Sequence, residues 1–177
     1  MTATRFEPLR TPPPTHADWP VPTAISFWAT MVVGDEGMSR AVPHVNNAEY
    51  VRWIDRLAES ATDAAGFTRE WHLAQGTMWF VARHEIDYRG ETFANDELLA
   101  ATWLHSFRRT SVRRDTFIVR PSDGRVICMA NTRWALVDLK TRRPTRIPGD
   151  IKASFPPPHA PHATTMSETE NIGRAGL

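Results

Sequence analysis

His44, Asn46 and Asn47 stand together in the stretch AVPHVNNAEYVRWID (41–55), directly ahead of residues that recur with helical spacing. A helix beginning there leaves its first backbone N–H groups without internal acceptors and carries the positive end of its dipole. A carbonyl oxygen docked against those groups is polarised as a developing oxyanion would be. A histidine beside it can donate a hydrogen bond or carry a proton. The cluster is therefore either a plain helix cap or a site that holds a polarised carbonyl, and three polar side chains at one mouth favour the second.

The helix behind this mouth is legible in detail. Asn46 followed by Glu49 has the spacing of a capping box. At 100° per residue, Tyr50, Trp53, Ile54, Leu57, Ala58, Ala61 and Ala65 share one arc, with Arg52, Arg56, Glu59 and Asp63 opposite. About twenty residues fit before Gly66 ends the run. Two polar residues break the pattern: Asn47 projects toward the apolar side, and Asp55 sits at its shoulder beside Val51. Pairing with a nearby arginine is the ordinary fate of such a carboxylate.

Five strands must hold this helix. AISFWATMVV (24–33) precedes it, and TMWFVARHEIDYRG (77–90), ELLAATWLHSF (97–107), SVRRDTFIVR (111–120) and RVICMANTRWALVDL (125–139) follow, all rich in β-branched and aromatic residues. The links ETFAND, RRT and PSDG are short, and Asp123-Gly124 is a tight-turn signal, so the spacing predicts an antiparallel meander. One helix over one face of a five-stranded sheet is an α+β domain. It occupies 24–147, between a proline-rich N-terminal extension (1–23) and a proline-rich, flexible C-terminal tail (148–177). His159 and His162 belong to that tail and have no companion ligands.

With 177 residues, 41% of them hydrophobic, one domain with a real core is affordable, and a net charge of +1 gives no reason to expect nucleic acid. Lys140 and Lys152 are the sole lysines; every other cation is arginine, whose planar fork suits phosphate and carboxylate. The single cysteine, Cys128, reads as a buried strand residue in a reducing compartment. No run is long enough to insert in a membrane and no leader is evident, so a cytoplasmic location is expected. His84 and Glu85 point to opposite faces of one strand and make no shared metal site. No metal or other cofactor is expected, and no phosphate loop or G-x-S-x-G nucleophile elbow appears.

HVNNAEYVRWID resembles the helix-start motif of the hot-dog-fold acyl thioesterases, the group containing 4-hydroxybenzoyl-CoA, long-chain acyl-CoA and plant acyl-ACP thioesterases. FVARHEIDYRGETFANDELLAATW and GRVICMANTRWALVDLKTRRP are similar to the group's later strands, and roughly 28 to 143 is covered. The resemblance implies a sheet wrapped around one central helix, a homodimer or dimer of dimers, and hydrolysis of an acyl-CoA or acyl-ACP thioester. In it Asn47 takes the position whose backbone N–H polarises the thioester carbonyl, and His44 that of the motif histidine. The chain departs where members carry an aspartate four residues before the histidine: that position is Arg40, and Val42 replaces an asparagine. Arg40 cannot act as a base. Asp35 and Glu36, just upstream in a longer loop, are the candidate replacements. Catalytic candidates are thus His44, Asn47, Asp35 and Glu36; substrate-binding candidates are Asn46, Tyr50, Trp53, Asp55, Arg108 and Arg109. Arg108 and Arg109, with Arg113 and Arg114, bracket a hairpin and could grip coenzyme A phosphates or an acidic carrier. The alternatives on this fold are a dehydratase or cyclase acting on a thioester-bound intermediate, and a non-catalytic acyl-thioester-binding module.

Overall fold

Strand β4 (Glu97–Phe107) is buried almost continuously from Leu98 to Leu104, which only a strand covered on both faces can sustain. The computed structural model, which describes residues 1–23 and 26–155, shows what covers each face. Leu98 and Ala100 pack inward on helix α1 (Asn47–Ala64), in a core shared with Tyr50, Trp53, Ile54 and Leu57. Leu99, Ala101 and Trp103 face outward and meet Leu9, Trp19 and Val21 of the N-terminal segment. That segment therefore acts as the outer cover of the sheet, and its residues Arg5–Pro8 pair with it as a short strand, β1.

The remaining elements are β2 (Phe27–Val32), α2 (Arg69–Ala74), β3 (Thr77–Tyr88), β5 (Ser111–Arg120), β6 (Arg125–Asp138), β7 (Arg143–Pro144) and α3 (Gly149–Ser154). The long strands and α1 fall where periodicity places them; Gly66, at φ 87°, follows the helix in a conformation other residues resist. Sequence reading left α2 unassigned, although Thr68 caps it by accepting from the Trp71 N–H at 3.2 Å. Within the stretch read as a flexible tail, α3 buries Ile151 against Phe67, Leu104 and Ile147. His159 and His162 lie outside the described residues.

The meander needs correction. All pairings are antiparallel, but the order is β1-β2-β4-β5-β6-β3, so β3 pairs with β6 and not with β4. A short link guarantees proximity of chain ends, not adjacency of strands. Residues 89–96 cross the end of the sheet and are tied there by Arg120, which donates to the Glu91 carbonyl at 3.2 Å and to Asp96 at 2.9 Å. Displacing β3 to the far edge lets the sheet curl around α1.

Candidate active site

The loop that delivers the helix start is held on three sides. Asn46 N–H donates to the Gly37 carbonyl at 2.9 Å, Ser39 N–H to the His44 carbonyl at 2.7 Å, and Val45 N–H to the Thr92 carbonyl at 2.9 Å. Gly37 is required by close approach: a Cβ there would lie 2.2 Å from Cγ of Glu49. Asn46 is the N-cap, its side chain accepting from the Ala48 N–H at 3.0 Å. The capping box is only half formed, because the Asn46 N–H is already engaged by Gly37 and the Glu49 carboxylate pairs with Arg52.

His44 is partly exposed in front of this cap. Its Nδ1 lies 3.1 Å from the Val42 carbonyl oxygen. A carbonyl only accepts, so the contact places the proton on Nδ1 and leaves the Nε2 lone pair free in the neutral ring. Asn47 is the first helical residue, so its N–H has no intrahelical acceptor. Its side chain is exposed, contrary to the wheel projection. The helical wheel assumes a core along the whole axis, and at its first turn α1 has not yet come under the sheet. The Asn47 carbonyl accepts from the Tyr88 hydroxyl at 3.3 Å, which ties the far edge strand to the mouth.

Tyr50 and Trp53 are core residues here. Tyr50 is 3% exposed, its hydroxyl 2.8 Å from Thr92 Oγ1 and its ring 4.8 Å from that of Trp53. Burial pushes the Tyr50 phenol pKa up.

The two loop carboxylates lie elsewhere in contact terms. Asp35 accepts from the backbone N–H of Thr2 and from its hydroxyl at 3.2 Å, and Glu36 N–H donates to the Thr2 carbonyl at 3.1 Å. The Thr2 amide holds the Asp35 carboxyl pKa below its ordinary value. Among the described residues neither carboxylate contacts His44 or Asn47.

Asp55 is half-exposed at mid-helix, with its Oδ1 buried, unpartnered, and 4.0 Å from His84 Nε2. The arginine partner expected from sequence is replaced by this histidine, whose Nδ1 is 2.9 Å from Thr132 Oγ1. Desolvation raises the Asp55 carboxyl pKa, with His84 opposing. The folded state therefore holds that proton more tightly than the unfolded chain, and stability falls as pH rises from below about 4 through the raised value. Asp55→Asn is expected to raise the melting temperature at pH 7, by less than about 3 °C because the side chain is half-solvated. The gain should vanish near pH 3.5; thermal denaturation at the two pH values checks this.

Arg108 and Arg109 are exposed at the β4–β5 turn. That turn belongs to the other end of α1: the Arg109 carbonyl accepts from Ile147, beside Phe67 and α3. One protomer therefore does not bring them to the helix start. Strand alternation also splits the arginine cluster, since Arg113 faces outward and Arg114 is 4% exposed on the inner face. Sequence reading missed the row that replaces it. Arg83 pairs with Arg133, and Arg133 with Arg113, across three adjacent strands. With Arg108 these line an outer cavity of about 270 Å³. Each is visible in the sequence, but only the β3–β6–β5 register makes them neighbours.

The sequence and the fold have known counterparts. The chain is 24% identical over 102 residues to a chloroplast palmitoyl-acyl carrier protein thioesterase of Cuphea hookeriana, a stretch that is 58% of this chain and 24% of that protein. It is 23% identical over 109 residues to the long-chain acyl-CoA thioesterase FadM of Escherichia coli, covering 62% of this chain and 82% of FadM. The chain thus spans about a quarter of the length of the plant relatives it matches. Its backbone follows the crystal structure of a 1,4-dihydroxy-2-naphthoyl-CoA thioesterase from Synechocystis with TM-score 0.67 at 15% identity, over 73% of this chain and 94% of that one. That likeness bears on fold, and the fold is the hot-dog α+β fold. The family model named Thioesterase-like superfamily matches residues 41–155, and the chain belongs to that superfamily.

Proposed function

We propose that this chain hydrolyses an acyl thioester carried by coenzyme A or an acyl carrier protein, releasing free acid and thiol. The observation that carries the reading is the free Nε2 of His44, three residues ahead of the Asn47 N–H, the first-turn donor of α1 that the Asn46 cap leaves without an acceptor. The thioester carbonyl rests against the Asn47 N–H, which stabilises the oxygen's charge as water adds. His44 Nε2 takes the proton from that water, the C–S bond breaks, and the proton passes to the departing thiolate. In this reading His44 moves the proton, with Asp35 and Glu36 held at Thr2. The phosphate groups of the carrier are the partners that suit Arg83, Arg108, Arg113 and Arg133.

The same reading includes a homodimer formed along β3. This strand ends the sheet, and no described residue pairs with its outer edge. Phe80 and Val81 on it are 44% and 38% exposed, an uncommon load for an edge strand. Val81→Lys is expected to convert a dimer to monomer in sedimentation velocity, while wild type sediments as dimer or dimer of dimers. A wild-type monomer at micromolar concentration would refute the β3 interface.

The test of activity is thiol release from a panel of alkyl- and aryl-CoA and acyl-ACP substrates. Release from at least one supports the hydrolase. Conversion of the acyl chain with the thioester intact would favour a dehydratase or cyclase, and binding without turnover a binding module.

A further inference from the structure

Beneath the second half of α1 lies a cavity of about 240 Å³ with an ionic group at its wall that no carboxylate among the described residues neutralises. Phe67, Trp79, Leu104, Val112 and Ile151 are among its apolar lining. Arg114 projects into this space from β5 and is 4% exposed. Burial lowers its pKa to about 10, so the guanidinium keeps its charge at neutral pH. Its contacts are two long hydrogen bonds, to Thr102 Oγ1 and Thr62 Oγ1, each 3.5 Å, and the face of the Phe155 ring, 6.0 Å from its guanidinium carbon; no carboxylate of the described residues lies within ion-pair distance. A buried charge whose partners are two distant hydroxyls and one aromatic face lacks a counter-charge and is disfavoured.

A second orphaned donor belongs to the wall of the same space. Trp134 lines the cavity, and its Nε1–H is buried without a partner. Trp134 is paired with Val112, two residues from Arg114, so the two donors sit diagonally on one face of the sheet. The acids around the cavity do not compensate them: Glu59 is held by Arg69 at 3.3 Å, Asp63 is exposed, and Asp55 turns its inner oxygen toward His84. A fork of N–H donors with an indole N–H in the same wall of a largely apolar chamber suits a carboxylate with an apolar body.

We propose that this cavity binds a free apolar carboxylic acid, its carboxylate held by Arg114 and Trp134 Nε1 and its body packed on Phe67, Leu104 and Ile151. The site is separate from the helix start, since Thr62 lies roughly 22 Å along the helix axis from Asn47. The volume corresponds to about eight waters, which suits a body on the order of ten heavy atoms. Octanoate is a suitable probe, with 1-octanol as its uncharged counterpart.

Calorimetric titration of the full-length protein with each probe tests the proposal. Octanoate is expected to bind wild type about tenfold more tightly than 1-octanol, a gap that reports the charge-assisted contact. Arg114→Met should bring the two within about threefold, and Trp134→Phe should weaken octanoate about threefold. Arg114→Met replaces a buried charge by an apolar side chain of similar length and is expected to fold; Arg114→Lys, which keeps the charge and loses the fork, should retain part of the preference. The preference should be unaffected in His44→Ala, whatever becomes of thiol release. Equal binding of the two probes to wild type, absence of octanoate binding, or loss of the preference in His44→Ala would each overturn the proposal.

Discussion

His44→Ala is expected to lower the rate constant for thiol release by about 10²- to 10⁴-fold, the range typical of removing a positioned proton carrier. The loss should appear in kcat, with KM little changed, because the ring sits in front of the cap and takes no part in the buried core. The bond to Val42 makes the argument specific: it fixes one tautomer, so the Nε2 lone pair is available before substrate arrives. Asp35→Asn and Glu36→Gln are the controls. The Asp35 carboxylate is engaged by Thr2, and the Glu36 backbone is tied to the same residue, so each variant should keep thiol release within about threefold of wild type. Steady-state kinetics on all three decides the matter. Full activity in His44→Ala together with collapse in Asp35→Asn would move the base from the histidine to the loop.

Leu57→Ala is expected to cost about 2–5 kcal/mol of stability. Leu57 is 1% exposed and Ile54 0%, and both stand at the centre of the core that joins α1 to β2, β4, β5 and β6. Truncation there leaves a void that neighbours from five elements cannot close without losing their own contacts. The melting temperature should fall by roughly 5–15 °C, at the usual conversion for a domain of this size. Glu59→Ala, two residues on but exposed and paired only with Arg69 at 3.3 Å, should stay within about 0.5 kcal/mol. Urea denaturation followed by circular dichroism compares the two. A Leu57→Ala cost below about 1 kcal/mol would mean that α1 is not the support around which the sheet is built.

Both experiments bear on features with different legibility in the chain. The bounds of β4 and β5, the extent of α1 and the Asn46 cap were readable directly, because periods of 2.0 and 3.6 and the chemistry of caps are written over a few consecutive residues. The motif HVNN likewise placed His44 and Asn47 at a helix start before any fold was known. The short α2 was not readable, since six residues hold too few turns for a pattern to emerge.

Other properties belong to no local stretch. That Asn47 is exposed follows from where the sheet begins to cover α1. That Asp35 is occupied follows from Thr2, 33 residues away, running along β2. The outer arginine row exists only because β3 crosses to pair with β6, a choice made by the curl of the sheet and not by the length of the 89–96 link. Arg113 and Arg114 look equivalent in sequence, yet one faces water and the other lies inside an apolar cavity. The long strands, α1 and the family motif are legible in the chain alone, because these arise from neighbours along it. Strand order, burial and the partners of each charge were decided by the tertiary structure alone, because they depend on contacts between residues far apart in the chain, and local periodicity carries no information about which strand will lie beside which.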